Sequence, residues 1–341
     1  MIFEKDPVRN VYLYRISTLV AVASMLLIAT GVAAQGHQVN QASIAGATPV
    51  QGMPLELSGC AVVDGGVLMV EDEAIGAVLL ATDMKRQPLN LTQVKLERKK
   101  KQRAPYADRP KLFPVQDFED IASDRSSNVY FLGSHNGKDG ERRPDREFLL
   151  YGEWEKKQGE IKVLGENYQL LEHAAPVLAD LGCNLGLTRE TVDPALNMEG
   201  LAWHEGQLYI GLRAPLTPDG QAIVLAGDAE ALFGGGFAAS LKAFTLDLDG
   251  GGIRALDWDP VKDTLLVISG AHEDGAAAQP ALWACDATGA SLQKIHQFDV
   301  DVAHKLPEGV CRLPEESGGQ LLVVLDGGGL NGGGEVVYLD W

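Results

Sequence analysis

Three glutamates, Glu119, Glu199 and Glu308, stand at equivalent places in the sequence, each at the start of a short apolar segment. Ser58 and Arg254 hold the same place in two further segments. Carboxylates that converge suit a hard cation such as Ca²⁺, which takes six to eight oxygen ligands, and a bound cation can activate water. We therefore predict the three glutamates as catalytic residues and as ligands of Ca²⁺.

A second set of polar residues accompanies these glutamates. Paired arginines suit a planar or tetrahedral anion, and a histidine that titrates near neutrality can act as acid or base. We expect His135 to titrate in this way and predict it as a catalytic residue that relays a proton. We predict a role in binding a small anionic molecule or an ester substrate for Asn197, Arg213, Arg254 and Asp326.

The elements that carry these residues form a repeat. Each copy has a polar residue, a short apolar run, a turn and a second β-rich run, and three of the four intervals are roughly 54–61 residues, near the length of a four-stranded propeller blade with its loops. The last unit has three strand-like segments, so a strand before Ser58 is expected to complete it. The copies begin at Ser58, Glu119, Glu199, Arg254 and Glu308.

This repeat predicts an all-β protein, a β-propeller with five blades. A partly helical insertion accounts for the long interval between the second and third blades, and a sixth blade in that place is the alternative. We assign residues 1–34 to a signal peptide, 35–52 to an N-terminal linker with the closing strand, and 53–341 to the propeller domain.

A propeller would bring the polar residues together. The first strand of a blade is the innermost, and an antiparallel hairpin places its start beside the end of the second strand. The repeated residues and those that follow each second strand would then share one mouth of the central channel. The alternative is a ring of glutamates and arginines that neutralise one another, because structural ion-pair networks also occur without catalysis. The followers include Glu71, Asp72, Glu73, His135, Arg213 and Asp326.

The N-terminal segment is typical of an exported protein. Lys5, Arg9 and Arg15 precede an apolar run over residues 16–33, and small residues at 32–34 fit cleavage after Ala34. We expect a periplasmic or secreted protein; the alternative is an uncleaved membrane anchor.

Composition restricts the partners. A hydrophobic content of 45%, 39 glycines and 6% aromatic residues fit an all-β chain with many tight turns. The net charge of −18 argues against nucleic acid and anionic membranes as partners, and we expect a monomer. The basic segment 95–111 is interpreted as a solvated connector.

The four cysteines are Cys60, Cys183, Cys285 and Cys311, and none forms a C-x-x-C pair, which argues against a zinc ribbon. Cys60 and Cys311 fall on the first strands of the first and last blades, which are neighbours in a ring. A disulfide between them is a hypothesis, and two buried free thiols are the alternative.

Several stretches carry a resemblance to a known family. They are "FEDIA", "GSHN", "NMEGLAWHEGQLYIGLRAPL", "GIRALDWDP" and "LPEGV". Through them the chain resembles a bacterial family filed as domain of unknown function 3616, and it is distantly similar to propellers with an esterase-like or phytase-like label. The resemblance implies a β-propeller and supplies no reaction, because a fold alone does not define one.

The sequence therefore favours an exported propeller with a polar site at one channel mouth. The activity that fits these residues best is metal-assisted hydrolysis of phosphate or carboxylic esters. The alternative is a non-catalytic propeller that uses the same mouth to bind a ligand or a protein.

Overall fold

A computed structural model describes residues 39–45, 56–72, 78–85, 89–98, 115–234, 241–273, 277–299, 306–326 and 335–341. All the described residues belong to one compact unit. The predicted signal peptide 1–34, Glu73 and residues 99–111 of the basic segment lie outside the described residues. Within the described residues, no helix combines the length and apolar character needed to cross a bilayer.

The described residues begin with one strand, and antiparallel sheets of four strands follow. Strand β1 is Val39–Ala45. The first blade contains β2 (Leu57–Val63), β3 (Gly66–Glu71), β4 (Val78–Ala81) and β5 (Leu89–Glu97). The second contains β6 (Phe118–Ser123), β7 (Asn128–Gly133), β8 (Leu149–Glu155) and β9 (Glu160–Asn167). The third contains β10 (Asn197–His204), β11 (Gln207–Ala214), β12 (Ala222–Asp228) and β13 (Lys242–Leu246).

The remaining two blades follow the same order. The fourth contains β14 (Gly252–Asp259), β15 (Thr264–Gly270), β16 (Ala281–Cys285) and β17 (Gln293–Gln297). The fifth contains β18 (Pro307–Arg312), β19 (Leu321–Leu325) and β20 (Glu335–Leu339). Its fourth strand is β1, which pairs antiparallel with β20 in the register Val39 to Leu339. The predicted strand before Ser58 thus completes the last blade.

Two α-helices lie between strands in the described part of the chain. Helix α1 (Leu170–Asp180) lies between the second and third blades, and α2 (Ala229–Gly234) follows β12. Residues 168–196 contain α1 and one isolated bridge residue, Thr191, so the predicted helical insertion is confirmed and a sixth blade in this place is wrong. Helix α1 is held because its apolar residues, including Leu171 and Leu178, join the core between these blades.

The hairpins form where the sequence supplies suitable turns. The two residues between β10 and β11 are Glu205 and Gly206, with φ of 46° and 81°. Positive φ at both central positions gives a turn whose twist matches that of the flanking strands. The burial of β11 from Leu208 to Leu212 on both faces then fixes the hairpin inside the molecule.

The cores lie between blades. Among the described residues there are five hydrophobic clusters, and each combines residues of two blades that are neighbours in the ring. The cluster that closes the ring contains Met69 of the first blade and Val324 of the fifth, both fully buried. The described residues therefore form a closed β-propeller with five blades, and the first strands β2, β6, β10, β14 and β18 contact one another in a ring.

Candidate functional site

A β-bulge occurs at the start of every first strand of the five described blades, and it falls on the repeated position each time. In β6, for example, Phe118 pairs with Gly133 and Asp120 with Leu132, which leaves Glu119 between them without a pairing partner. A bulged residue leaves the regular ladder, and its side chain is aimed in a new direction. The five residues placed in this way are Ser58, Glu119, Glu199, Arg254 and Glu308.

The bulges bring four of these side chains together. Arg254 lies between two glutamates: its Nη1 donates to Oε1 of Glu308, and its Nε is 3.6 Å from Oε2 of Glu199. Glu199, Arg254 and Glu308 are only 3%, 7% and 6% exposed. Ser58, the fifth member, donates its hydroxyl to the Phe118 carbonyl and carries no charge into this group.

Glu199 is held from the other side by the third blade itself. Oε1 of Glu199 accepts hydrogen bonds from Arg213 Nη1 at 2.9 Å and from Asn197 Nδ2 at 2.6 Å. Arg213 also donates its Nε to the Ala271 carbonyl of the fourth blade at 3.0 Å. The buried Oδ1 of Asn197 has no hydrogen-bond partner in the structure, so it is available to a ligand that donates a hydrogen bond.

Glu119 differs from the other two glutamates. It is partly exposed, and no lysine or arginine among the described residues forms an ion pair with it. Burial within the channel raises the pKa of Glu119 well above its usual range, and the charges of Glu199 and Asp117 raise it further. Desolvation and nearby negative charge both favour the neutral form of a carboxyl group. Glu119 therefore combines a raised pKa with a side chain that solvent can reach.

Further carboxylates surround the mouth. Burial raises the pKa of Asp72 to about 8, and the charges of Asp326 and Glu56 contribute to this shift. Burial also raises the pKa of Glu308, against the opposing effect of Arg254. The charge of Asp326 raises the pKa of Asp72, Arg254 and Glu308. Asp326 therefore lies near this group.

His135 does not belong to this group. It is 1% exposed, and its Nδ1 lies 2.7 Å from the Gly133 carbonyl. Burial lowers its pKa to about 4, and the charges that act on it are those of Arg142 and Glu172 rather than of the glutamates at the mouth. The expectation that His135 titrates near neutrality is wrong, because the sequence shows which strand precedes the histidine but not that the surrounding protein excludes water.

Asp120, the residue after Glu119, is a buried link between blades. Oδ2 of this buried carboxyl accepts hydrogen bonds from the backbone N–H of Leu201 at 2.7 Å and of Leu256 at 3.3 Å, and so joins the second blade to the third and fourth. At the opposite end, Arg125 donates to the Arg312 carbonyl and to Asp257 Oδ2.

Two residues of the site were not predicted. Asp117 accepts a hydrogen bond from the Ser134 hydroxyl and pairs with Arg146 at 3.1 Å. The repeat does contain a signal for Asp117, because it stands two residues before Glu119 just as Asn197 stands two residues before Glu199. Asp120 gave no such signal, since its role depends on the approach of strands from other blades.

The predicted Ca²⁺ ligands can be compared with this geometry. Among the described residues, no group of three or more His, Cys, Asp or Glu side chains is arranged to hold a metal ion. Glu199 and Glu308 direct oxygen atoms at arginines, so a cation would have to compete with Arg254 and Arg213 for them. Calcium binding by Glu119, Glu199 and Glu308 remains a prediction.

Solved structures with a similar fold include several enzymes. A β-1,3-galactosidase of family GH43 matches with a TM-score of 0.50 and 8% identity, over 87% of this chain and 94% of the other. An exo-β-1,3-galactanase from Phanerochaete chrysosporium matches with a TM-score of 0.49 and 9% identity, over 88% of this chain and 64% of that one, so the present chain spans less than two thirds of its length. A glucose dehydrogenase matches with a TM-score of 0.45 and 12% identity, over 89% and 99% of the two chains. Identities this low extend the likeness to the fold alone.

Sequence comparison adds a family. No curated protein matches the chain. The family model described as protein of unknown function (DUF3616) matches residues 181–331, which include the third-blade stretch that carried most of the resemblance. Over these residues the chain is similar to that family, and as a whole its fold is that of a β-propeller.

Proposed function

We propose that the protein is a hydrolase of phosphate or carboxylic esters and that it acts at this channel mouth. The observation that carries the proposal is the contrast between Glu119, which is accessible and has a raised pKa, and Glu199 and Glu308, which are buried against arginines. A carboxylic acid kept neutral at pH 7 beside fixed ionic groups is suited to donate a proton to a leaving oxygen atom.

The other residues have complementary roles in this proposal. Arg213, which is partly exposed and fixed at two atoms, faces the charge that develops on the substrate; preorganised donors of this kind stabilise such charge more than water does. Glu199 and Glu308 position Arg213 and Arg254 for an anionic group. His135 is buried outside the group and has no role in proton transfer at neutral pH. If Ca²⁺ binds, Glu119, Glu199 and Glu308 are the proposed ligands and the ion would supply Lewis acidity.

The test is a screen of the purified chain on phosphomonoester, lactone and simple ester substrates, with Ca²⁺ and with chelator. Glu119→Gln removes the proton and keeps the shape, so we expect kcat to fall about 10²–10⁴-fold. Glu153→Gln, at an exposed position of the second blade, is the matched control and should leave the rate unchanged.

The pH dependence gives a further readout. The reaction requires the protonated form of Glu119, which exists below its raised pKa, so the rate should decline as the pH rises through that value. In Glu119→Gln this alkaline decline should be absent from any residual activity. Equal rates for Glu119→Gln and the parent chain would contradict the proposed role.

A second candidate function is ligand binding without turnover. It is favoured by the buried Oδ1 of Asn197, which no protein group satisfies. If no substrate is turned over under any condition, this candidate replaces the hydrolase, and a rise of the melting temperature with the same compounds would test it.

Export after cleavage at Ala34 is also proposed, and N-terminal sequencing of the mature chain tests it.

A further inference from the structure

The first and last blades meet at a pair of cysteines. Cys60 lies on β2 and Cys311 on β18, and their sulfur atoms are 2.8 Å apart although 251 positions separate them in the chain. Both are buried, at 1% and 0% exposure. A disulfide requires about 2.05 Å between sulfur atoms, so the two sulfur atoms are already close to bonding distance.

The strands that carry this pair approach each other closely. A Cβ atom placed on Gly309 would be 2.8 Å from Cα of Gly59, so β2 and β18 touch through two glycines. These glycines stand directly before Cys60 and two residues before Cys311. The other cysteines are different: Cys183 donates to the Leu216 carbonyl at 3.4 Å, and neither it nor Cys285 has a sulfur neighbour among the described residues.

We propose that Cys60 and Cys311 form a disulfide that closes the propeller ring at its inner edge. The outer edge of the same blade is closed by the hydrogen bonds of β1 to β20. A covalent link across so long a stretch of chain restricts the unfolded state strongly, and it fixes the strand that carries Glu308 against the first blade. This inference is independent of the proposed hydrolase.

The reaction is a thiol–disulfide exchange with a small disulfide or an oxidised dithiol carrier. One cysteine thiolate attacks the carrier disulfide, which forms a mixed disulfide and releases one carrier thiolate. The second cysteine thiolate then displaces the other carrier sulfur, so that two cysteine thiols are oxidised and one carrier disulfide is reduced to two thiols. Since burial raises the pKa of the Cys60 thiol, the exchange takes place before the ring is fully closed.

The test uses the full chain refolded with oxidised and reduced glutathione, denatured without reductant and alkylated. Peptide mass mapping should find label on Cys183 and Cys285 and a linked peptide pair that contains Cys60 and Cys311. Label on all four cysteines, or a link between any other pair, would overturn the proposal.

Thermal unfolding provides a second measurement. The chain refolded with glutathione should melt roughly 5–10 °C above the chain refolded with dithiothreitol. This difference should persist in Cys183→Ala/Cys285→Ala and vanish in Cys60→Ala/Cys311→Ala. If either double variant fails to fold, the melting temperatures of the parent chain refolded with glutathione and with dithiothreitol still test the proposal. Equal melting temperatures of these two forms would count against a closing disulfide.

Discussion

The charged residues at the channel mouth act as ion pairs rather than alone. The repeat places a glutamate at the mouth in three blades and an arginine in a fourth, and the arginine is ion-paired with two of those glutamates. Two buried glutamates that share one arginine would repel each other without it. Among the described residues Glu119 forms no such ion pair, and burial raises its pKa well above the usual range. The same repeat position therefore holds glutamates in two different environments.

The arginine at the mouth should be essential for stability. Arg254→Met leaves Glu199 and Glu308 buried with one counter-ion fewer, and removal of one partner from a buried pair typically costs about 3–5 kcal/mol. We expect a loss of this size in the free energy of unfolding measured with urea.

Arg254→Met/Glu308→Gln is the control for this prediction. It removes the charge of Glu308, which loses its ion pair with Arg254, whereas Glu199 keeps Arg213, so it should recover part of the loss. A double variant no more stable than Arg254→Met would show that the charges are not the cause.

The sequence predicted which residues follow or begin the inner strands, but it could not predict the surroundings of each side chain. Asn197, Arg213, Arg254 and Asp326 lie with the glutamates because hairpin geometry alone places strand starts beside strand ends. His135 satisfied the same rule, and yet it is buried with its Nδ1 against the Gly133 carbonyl. The direction of a side chain after a strand depends on local backbone, here a φ of 56° at His135, which the pattern of apolar residues does not reveal.

The elements that build the site are the first strands of the blades. Each makes its bulge and then continues into a largely buried strand, and in β2 all seven residues are buried. The repeat predicted these strands and their turns, because apolar runs and turn residues are visible in the sequence. The bulges were not predicted, since a bulge is a property of the register between two strands.

Close approach of first strands makes certain glycines irreplaceable. A Cβ atom on Gly59 would lie 2.4 Å from Oδ1 of Asp120 and 2.8 Å from its Cα. Asp120 cannot move away, because its other oxygen atom holds two backbone N–H groups. We expect Gly59→Ala to lower the free energy of unfolding by about 1–3 kcal/mol, as measured by urea denaturation.

Gly234 is the matched control for this glycine. It lies at the end of α2, is exposed, and a Cβ atom there would meet nothing within 4 Å. Gly234→Ala should therefore cause no loss of stability. Equal effects of the two substitutions would show that the contact with Asp120 is not the reason for glycine at position 59.

The whole molecule depends on how the ring is closed. The fifth blade takes its last strand from residues that precede the first blade, so the two ends of the propeller are joined by main-chain hydrogen bonds. The end of β1 also pairs in parallel with β5, where Ile44 lies opposite Leu89 and Ala45 opposite Asn90. The number of blades could not be decided from the sequence, because the insertion that contains α1 is long enough to supply part of a blade.

Removal of the closing strand should open the ring. A chain that begins after residue 45 lacks β1 and leaves β20 as an unpaired edge, and exposed edges favour association between chains. We expect a lower melting temperature and larger species in size-exclusion chromatography. A chain that begins at Gly36 keeps β1 and is the control, and similar behaviour of the two would contradict the role of β1.

The bulges have a consequence for how such a molecule can change. A bulged residue contributes no ladder pair, so the hydrogen bonds that hold a blade together do not depend on which side chain stands there. The five bulge positions hold serine, arginine and glutamate with the same main-chain pairing in every blade. Substitutions there can change the chemistry of the mouth without changing the strand pairing, provided that the buried charges of the ring stay balanced. Chains with other balanced sets at these positions are where other specificities should be sought.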